Sequence, residues 1–136
     1  MIVLNSESSN VLLDTYAWIE YFLGSKEGEI VKEYIEFGSI STSIISLAEL
    51  SDKYYRENLF KEWNNRFKFI ITKSKIINLT LDIVKKAGLS KLKLRKKDKT
   101  AGLADAIIYE TAKQYDLKIL TGDPHFEDLY NIIFLK

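Results

Sequence analysis

Cysteine is absent from the 136-residue chain, which excludes disulfides, thiolate zinc sites, iron–sulfur clusters and cysteine nucleophiles. A reducing, cytoplasmic setting is the expectation. Proline occurs once, at Pro124, and histidine once, at His125; a lone histidine in a turn is read as incidental. No apolar run reaches the roughly 18 residues needed to span a membrane, and the apolar start Met1–Leu4 is too short for a signal sequence. Charge of one sign is also lacking: 20 Lys+Arg stand against 19 Asp+Glu, for a net charge of +1. No whole-molecule field steers this chain to a polyanion, so nucleic-acid binding would need a local patch.

What is present has the profile of a globular protein. Hydrophobic residues make up 46% and charged residues 29%, enough to build a core and too apolar for disorder. One domain over residues 1–136 is expected.

After a polar lead-in from Ser6 to Asn10, Val11-Leu12-Leu13 is a short apolar run broken at Asp14, as in a central strand buried on both faces, and predicts strand one at 11–14. Residues 16–23 read as an aromatic-rich helix closed by Gly24, and 26–37 as a second helix closed by Gly38. Ser39-Ile40-Ser41-Thr42 reads as a strand. From Ser46 a helix follows, with Leu47, Leu50, Tyr54 and Leu59 at helical spacing, and 60–67 continues helically. Phe69-Ile70-Ile71 and Ile76-Ile77-Asn78-Leu79 are short strand candidates. Leu81–Leu89 reads as a helix with a basic stretch after it, Gly102–Tyr115 as a helix, and 117–121 and 131–135 as strands. Strands alternating with helices imply crossover connections, hence a three-layer α/β/α sandwich with a mainly parallel sheet.

Four acids fall at suggestive places, and each has a structural alternative. Asp14 ends a strand, where it would also cap the next helix. Glu49 completes Ser46-Leu47-Ala48-Glu49, a capping-box pattern. Asp105 shares a helix face with Ile108, Tyr109 and Ala112, where an acid needs a partner or the helix dipole. Asp123 stands in Gly-Asp-Pro, which turn chemistry also explains.

Their joint placement favours a site. In a parallel sheet all four gather where strands end and helices begin, the region in which such sheets bind ligands. Clustered carboxylates raise one another's pKa unless a cation lies between them. Ligation by oxygen alone selects magnesium or manganese, ions that lower the pKa of an attacking water and offset charge on a phosphodiester.

Two surface expectations follow. Basic residues crowd in Lys91, Lys93, Arg95, Lys96, Lys97 and Lys99, immediately before the Asp105 helix, and are candidates for binding a nucleic-acid backbone, with a solvated helix end and loop as the alternative. Trp18, Phe22, Tyr54, Tyr55 and Trp63 offer more apolar surface than one core is expected to cover, so a partner would cover the surplus.

Val11-Leu12-Leu13-Asp14-Thr15, Ser46-Leu47-Ala48-Glu49-Leu50, Gly102-Leu103-Ala104-Asp105-Ala106-Ile107-Ile108 and Leu120-Thr121-Gly122-Asp123-Pro124-His125-Phe126, taken in order, resemble the PIN-domain ribonucleases, most of all their VapC-type toxins. The resemblance runs from Val11 to Phe134. It implies a parallel α/β/α sandwich and a metal-dependent ribonuclease in which Asp14, Glu49, Asp105 and Asp123 hold Mg2+ or Mn2+, with Thr15 and Thr121 as neighbouring hydroxyl ligands or orienters. It also implies a small protein antitoxin, a homodimer and an RNA substrate. Gly122 and Pro124 depart from what relatives often carry there, and Asp128 is the alternative to Asp123.

Two rivals remain open. A haloacid-dehalogenase-type phosphatase would share the strand-end aspartate and a Gly-Asp pair, although Tyr16 stands where its acid or base should be. A non-catalytic PIN-like scaffold would bind RNA or protein without cutting.

Overall fold

The computed structural model describes residues 10–135; the apolar start at 1–4 and the lead-in at 6–9 lie outside them. Five strands, β1 (Asn10–Leu13), β2 (Ser39–Ser43), β3 (Lys75–Ile77), β4 (Lys118–Thr121) and β5 (Ile132–Phe134), form one sheet in the order β3-β2-β1-β4-β5. Every pairing is parallel. Six helices fill the connections: α1 (Thr15–Leu23), α2 (Lys26–Phe37), α3 (Ile44–Arg56), α4 (Phe60–Lys73), α5 (Leu81–Lys97) and α6 (Leu103–Gln114). This is the expected three-layer α/β/α sandwich.

Alternation along the central strands sorts the core into two layers. Val11, Leu13 and Leu120 pack with Trp18, Val31, Leu50 and Ile70 of the first four helices, whereas Leu12 and Ile119 face Ile108 and Ala112 of α6. All of these are buried, as a parallel sheet covered on both faces requires. Between α1 and α2 the backbones nearly touch. A Cβ at Gly28 would stand 2.1 Å from the Glu20 carbonyl oxygen, so only glycine fits at that crossing. Among the described residues no helix is long and apolar enough to cross a membrane.

The structure corrects several expectations. Phe69-Ile70-Ile71 is not a strand but the last part of α4, because Trp63 and Ile70 fall on one helical face and are buried together in the core. Helix α3 begins at Ile44, capped by the Ser43 hydroxyl on the Ile45 amide; Ser46 is therefore inside the helix, and no capping box forms with Glu49. Helix α5 does not end at Leu89 but runs on through the basic stretch to Lys97. Finally, the aromatic surplus is mostly core: Trp18, Tyr54 and Trp63 are buried, Phe22 packs against them, and only Tyr55 of the five is well exposed. The Trp18 indole N–H donates to Thr42 Oγ1 at 3.0 Å, and that hydroxyl is shared with Ser74, so the polar end of the ring is satisfied inside the protein.

Candidate active site

Strand order reverses at β1, whose neighbours β2 and β4 lead the chain away on opposite sides. The crevice beyond the strand ends at such a switch point is where open α/β sheets bind ligands. Here it is a cavity of about 210 Å³ lined by Asp14, Thr15, Tyr16, Ile19, Glu49, Asp105, Ile108 and Asp123. All four acids singled out in the sequence share it.

Asp14 follows β1 and is almost wholly buried. It caps α1, with Oδ1 accepting the Ala17 amide at 2.9 Å, and Oδ2 accepts the Thr121 hydroxyl. The capping role and the site role therefore coexist in one side chain. Burial pushes its carboxyl up to about 7, against the lowering effect of those two hydrogen bonds and with the help of Asp123 and Asp105. Glu49, in the second turn of α3, accepts the Thr15 hydroxyl on Oε1 at 2.5 Å. Burial raises it as well; the Thr15 bond lowers it, and the charges of Asp105 and Asp123 add to the rise.

Asp105 stands in the first turn of α6 and accepts the Gly102 amide at 2.9 Å. Burial holds its carboxyl above the ordinary value, opposed by that amide and by His125. Asp123 follows β4 and caps a single 3-10 turn, Pro124–Phe126, accepting the His125 amide at 2.9 Å. A Cβ at Gly122 beside it would meet the Tyr16 ring at 2.4 Å, so any larger residue there would have to displace that ring and its Glu27 partner. Tyr16 is itself held by Glu27 at 2.7 Å, a bond that lifts its phenol to about 12.

His125 is the residue that sequence reasoning set aside. Its Nδ1 stands 2.9 Å from Asp105 Oδ2 and 3.2 Å from Asp123 Oδ1, and its Nε2 is 2.7 Å from Thr100 Oγ1. Nδ1 is buried and out of line for a hydrogen bond to either carboxylate. Asp105, Asp123 and His125 thus offer three donor atoms within 4.8 Å of one another. The only available signal was adjacency, because His125 follows Asp123 by two residues in a tight turn. Asp128, the alternative to Asp123, lies on an exposed turn with φ of 71° and does not line the cavity.

The family model for the PIN domain matches residues 11–132. The chain belongs to the PIN-domain family. That membership displaces the dehalogenase-type reading. Comparison with curated protein sequences returned no match. Among solved structures, this PIN domain is similar to a toxin–antitoxin complex from Klebsiella pneumoniae at 24% identity, with 93% of this chain and 98% of that one covered and a TM-score of 0.69. It is similar to DNA-bound VapBC from Salmonella typhimurium at 17% identity, covering 92% and 96%, with a TM-score of 0.72. A third is the Mycobacterium tuberculosis toxin VapC20, which cleaves the sarcin–ricin loop, at 16% identity, covering 85% and 92%, with a TM-score of 0.69.

The basic residues of this PIN domain do not form one patch. A helix turns about 100° per residue, and α5 distributes them around its circumference. Lys93 and Lys97 line a separate cavity between α5 and α6. Arg95 donates Nε to the Ala101 carbonyl at 2.8 Å, bracing the turn into α6. Lys91 is half-buried, Lys96 is exposed, and Lys99 lies beyond the helix.

Proposed function

We propose that this chain is a metal-dependent ribonuclease that hydrolyses RNA phosphodiester bonds and acts as the toxin of a toxin–antitoxin pair. The observation that carries the reading is the meeting of Asp14, Glu49, Asp105 and Asp123 around one cavity at the switch point, with three of the four held above their ordinary pKa. Such a group is poorly stable as bare carboxylates and well suited to a hard cation. The unpartnered His125 Nδ1 between two of the acids fits the same conclusion.

Asp14, Glu49, Asp105 and Asp123 would hold Mg2+ or Mn2+, with His125 at the edge of the set. When bound, the ion supplies an activated water and offsets charge developing on the phosphate oxygens. The protein's own groups do the positioning. Thr121 and the Ala17 amide fix both oxygens of Asp14, and Gly102 fixes one oxygen of Asp105. Thr15 engages Oε1 of Glu49, leaving Oε2 to take a proton from the attacking water.

The toxin role rests on likeness to the complexes named above, and it brings a small protein antitoxin and a homodimer with it. Tyr55, Phe60 and Phe67, exposed around the α3–α4 corner, are surface for such a partner to cover.

Cleavage of a single-stranded RNA is expected in magnesium or manganese and should stop in excess chelator. Asp14→Asn combined with Asp105→Asn should abolish both cleavage and calorimetric manganese binding. Cleavage that survives chelation would overturn the mechanism. RNA binding without cleavage in any metal would instead leave a non-catalytic scaffold.

A further inference from the structure

A second cavity is larger than the acidic one. It lies between α5 and α6, has a volume of about 490 Å³, and is edged by Lys86, Lys93, Lys97 and Lys113 over an apolar wall that includes Leu89 and Leu129. That volume falls within the roughly 300–1,000 Å³ of ordinary ligand pockets. Its one acid, Glu110, is buried and already engaged by the Ser90 hydroxyl and by Lys113 Nζ. Among the described residues neither Lys93 nor Lys97 has an acidic partner, while Lys86 is shared with Asp82 at 3.1 Å. Lys93 and Lys97 are thus two neighbouring cations without an acidic partner at the edge of this cavity, and charge complementarity favours an anionic occupant.

Geometry narrows the class further. Lys86, Lys93 and Lys97 fall on one stripe of α5 spanning eleven residues, about 16 Å along the helix axis. The stripe ends next to Asp98, whose carboxylate holds Thr100 and stands 3.5 Å from His125 Nε2. The groove therefore leads up to the rim of the acidic cavity. A row of cations beside an apolar wall matches a single strand of nucleic acid, which has a phosphate on one side and a base on the other at each step.

We propose that this groove holds an unpaired stretch of the substrate RNA beside the acidic site, with its phosphates on Lys93 and Lys97 and a base against Leu89 and Leu129. The inference rests on the ribonuclease reading above and divides the basic residues of α5 into those that face the strand and those that do not. Lysine acts as a point charge on phosphate, so the groove contributes affinity and direction rather than sequence choice.

The test is binding of an unstructured RNA of about 12 nucleotides to the full chain in calcium, across a salt series. Two double variants remove equal charge from exposed or half-exposed positions: Lys93→Ala with Lys97→Ala inside the groove, and Lys91→Ala with Lys96→Ala outside it. Each lost phosphate contact flattens the plot of log affinity against log salt by about 0.7, so the groove pair should flatten it by about 1.4. The outside pair should leave the slope nearly unchanged. Leu89→Ser should weaken RNA binding at every salt concentration without changing the slope. Equal effects from both pairs would overturn the groove, as would unchanged slopes in both, the outcome expected if the groove instead takes an acidic protein segment. If the unmodified protein neither binds nor cleaves RNA, the ribonuclease reading itself fails, and that result is separable because it precedes any substitution.

Discussion

The Thr121 hydroxyl donates to Asp14 Oδ2 from 107 residues further along the chain, and Thr121 Oγ1 in turn accepts the Asp123 amide at 2.9 Å. One fully buried side chain thus sets the positions of two acids that follow neighbouring strands. Thr121→Val keeps the shape and removes both bonds. A buried polar group left without its partner costs about 1–3 kcal/mol, so stability should fall by roughly that amount in denaturant melts. Metal affinity should fall as well, because Asp14 loses one of the two bonds that favour its charged form. Unchanged manganese affinity would remove Thr121 from the positioning of the site.

Asp14 makes the metal-free protein sensitive to pH. Its carboxyl is raised from 3.8 to about 7 in the folded chain, so between those values the unfolded state releases a proton that the folded state keeps. The folded state binds more protons there, and stability falls as pH rises. Below pH 3.8 this contribution is fully present; above about 7 it is lost, a difference on the order of 4 kcal/mol. Melting at pH 5 and pH 8 without metal should show the decline. Asp14→Asn should melt higher than the parent at pH 8 and flatten the profile, and manganese should restore the parent at pH 8. A parent profile as flat as that of the variant would contradict the burial argument.

His125 touches two of the acids through Nδ1. Groups that ligate or orient a metal site typically cost 10–100-fold in affinity when removed, and His125→Asn should fall in about that range by manganese titration. Mn2+ is expected to suffer more than Mg2+, because an imidazole nitrogen suits transition ions better than it suits magnesium. Equal affinity in parent and variant for both ions would return the histidine to the incidental role that its turn position implied.

The parts of the fold visible in the sequence were those governed by one dominant local force. Val11-Leu12-Leu13 and Ile119-Leu120 are apolar runs that stop shortly before an acid, and both lie in central strands. Gly24 and Gly38 closed their helices as expected. Phe69-Ile70-Ile71 misled because three consecutive apolar residues satisfy a strand and a buried helix face alike, and only packing against Trp18 and Tyr21 decides between them. The start of α3 was read too late, at Ser46, because a serine there satisfies a cap pattern on its own, and only the continuation of β2 to Ser43 moves the cap to Ser43. The acids were legible as candidates since topology alone gathers strand ends. The His125 contacts were not, because they depend on the turn that directs the imidazole back toward α6.

Sheet order has a bearing on when this site comes into being. Strand β1 needs β2 on one side and β4 on the other, yet β4 is synthesised about a hundred residues after β1. Closing so long a loop is entropically slow, and contacts of high sequence separation form late in folding. While a ribosome is still making the intervening helices, Asp14 has neither Thr121 nor Asp123 beside it, and the switch-point crevice has only one wall. Any chemistry performed there is therefore withheld from the nascent chain by topology alone, and begins only once the last third of the chain has been made and packed.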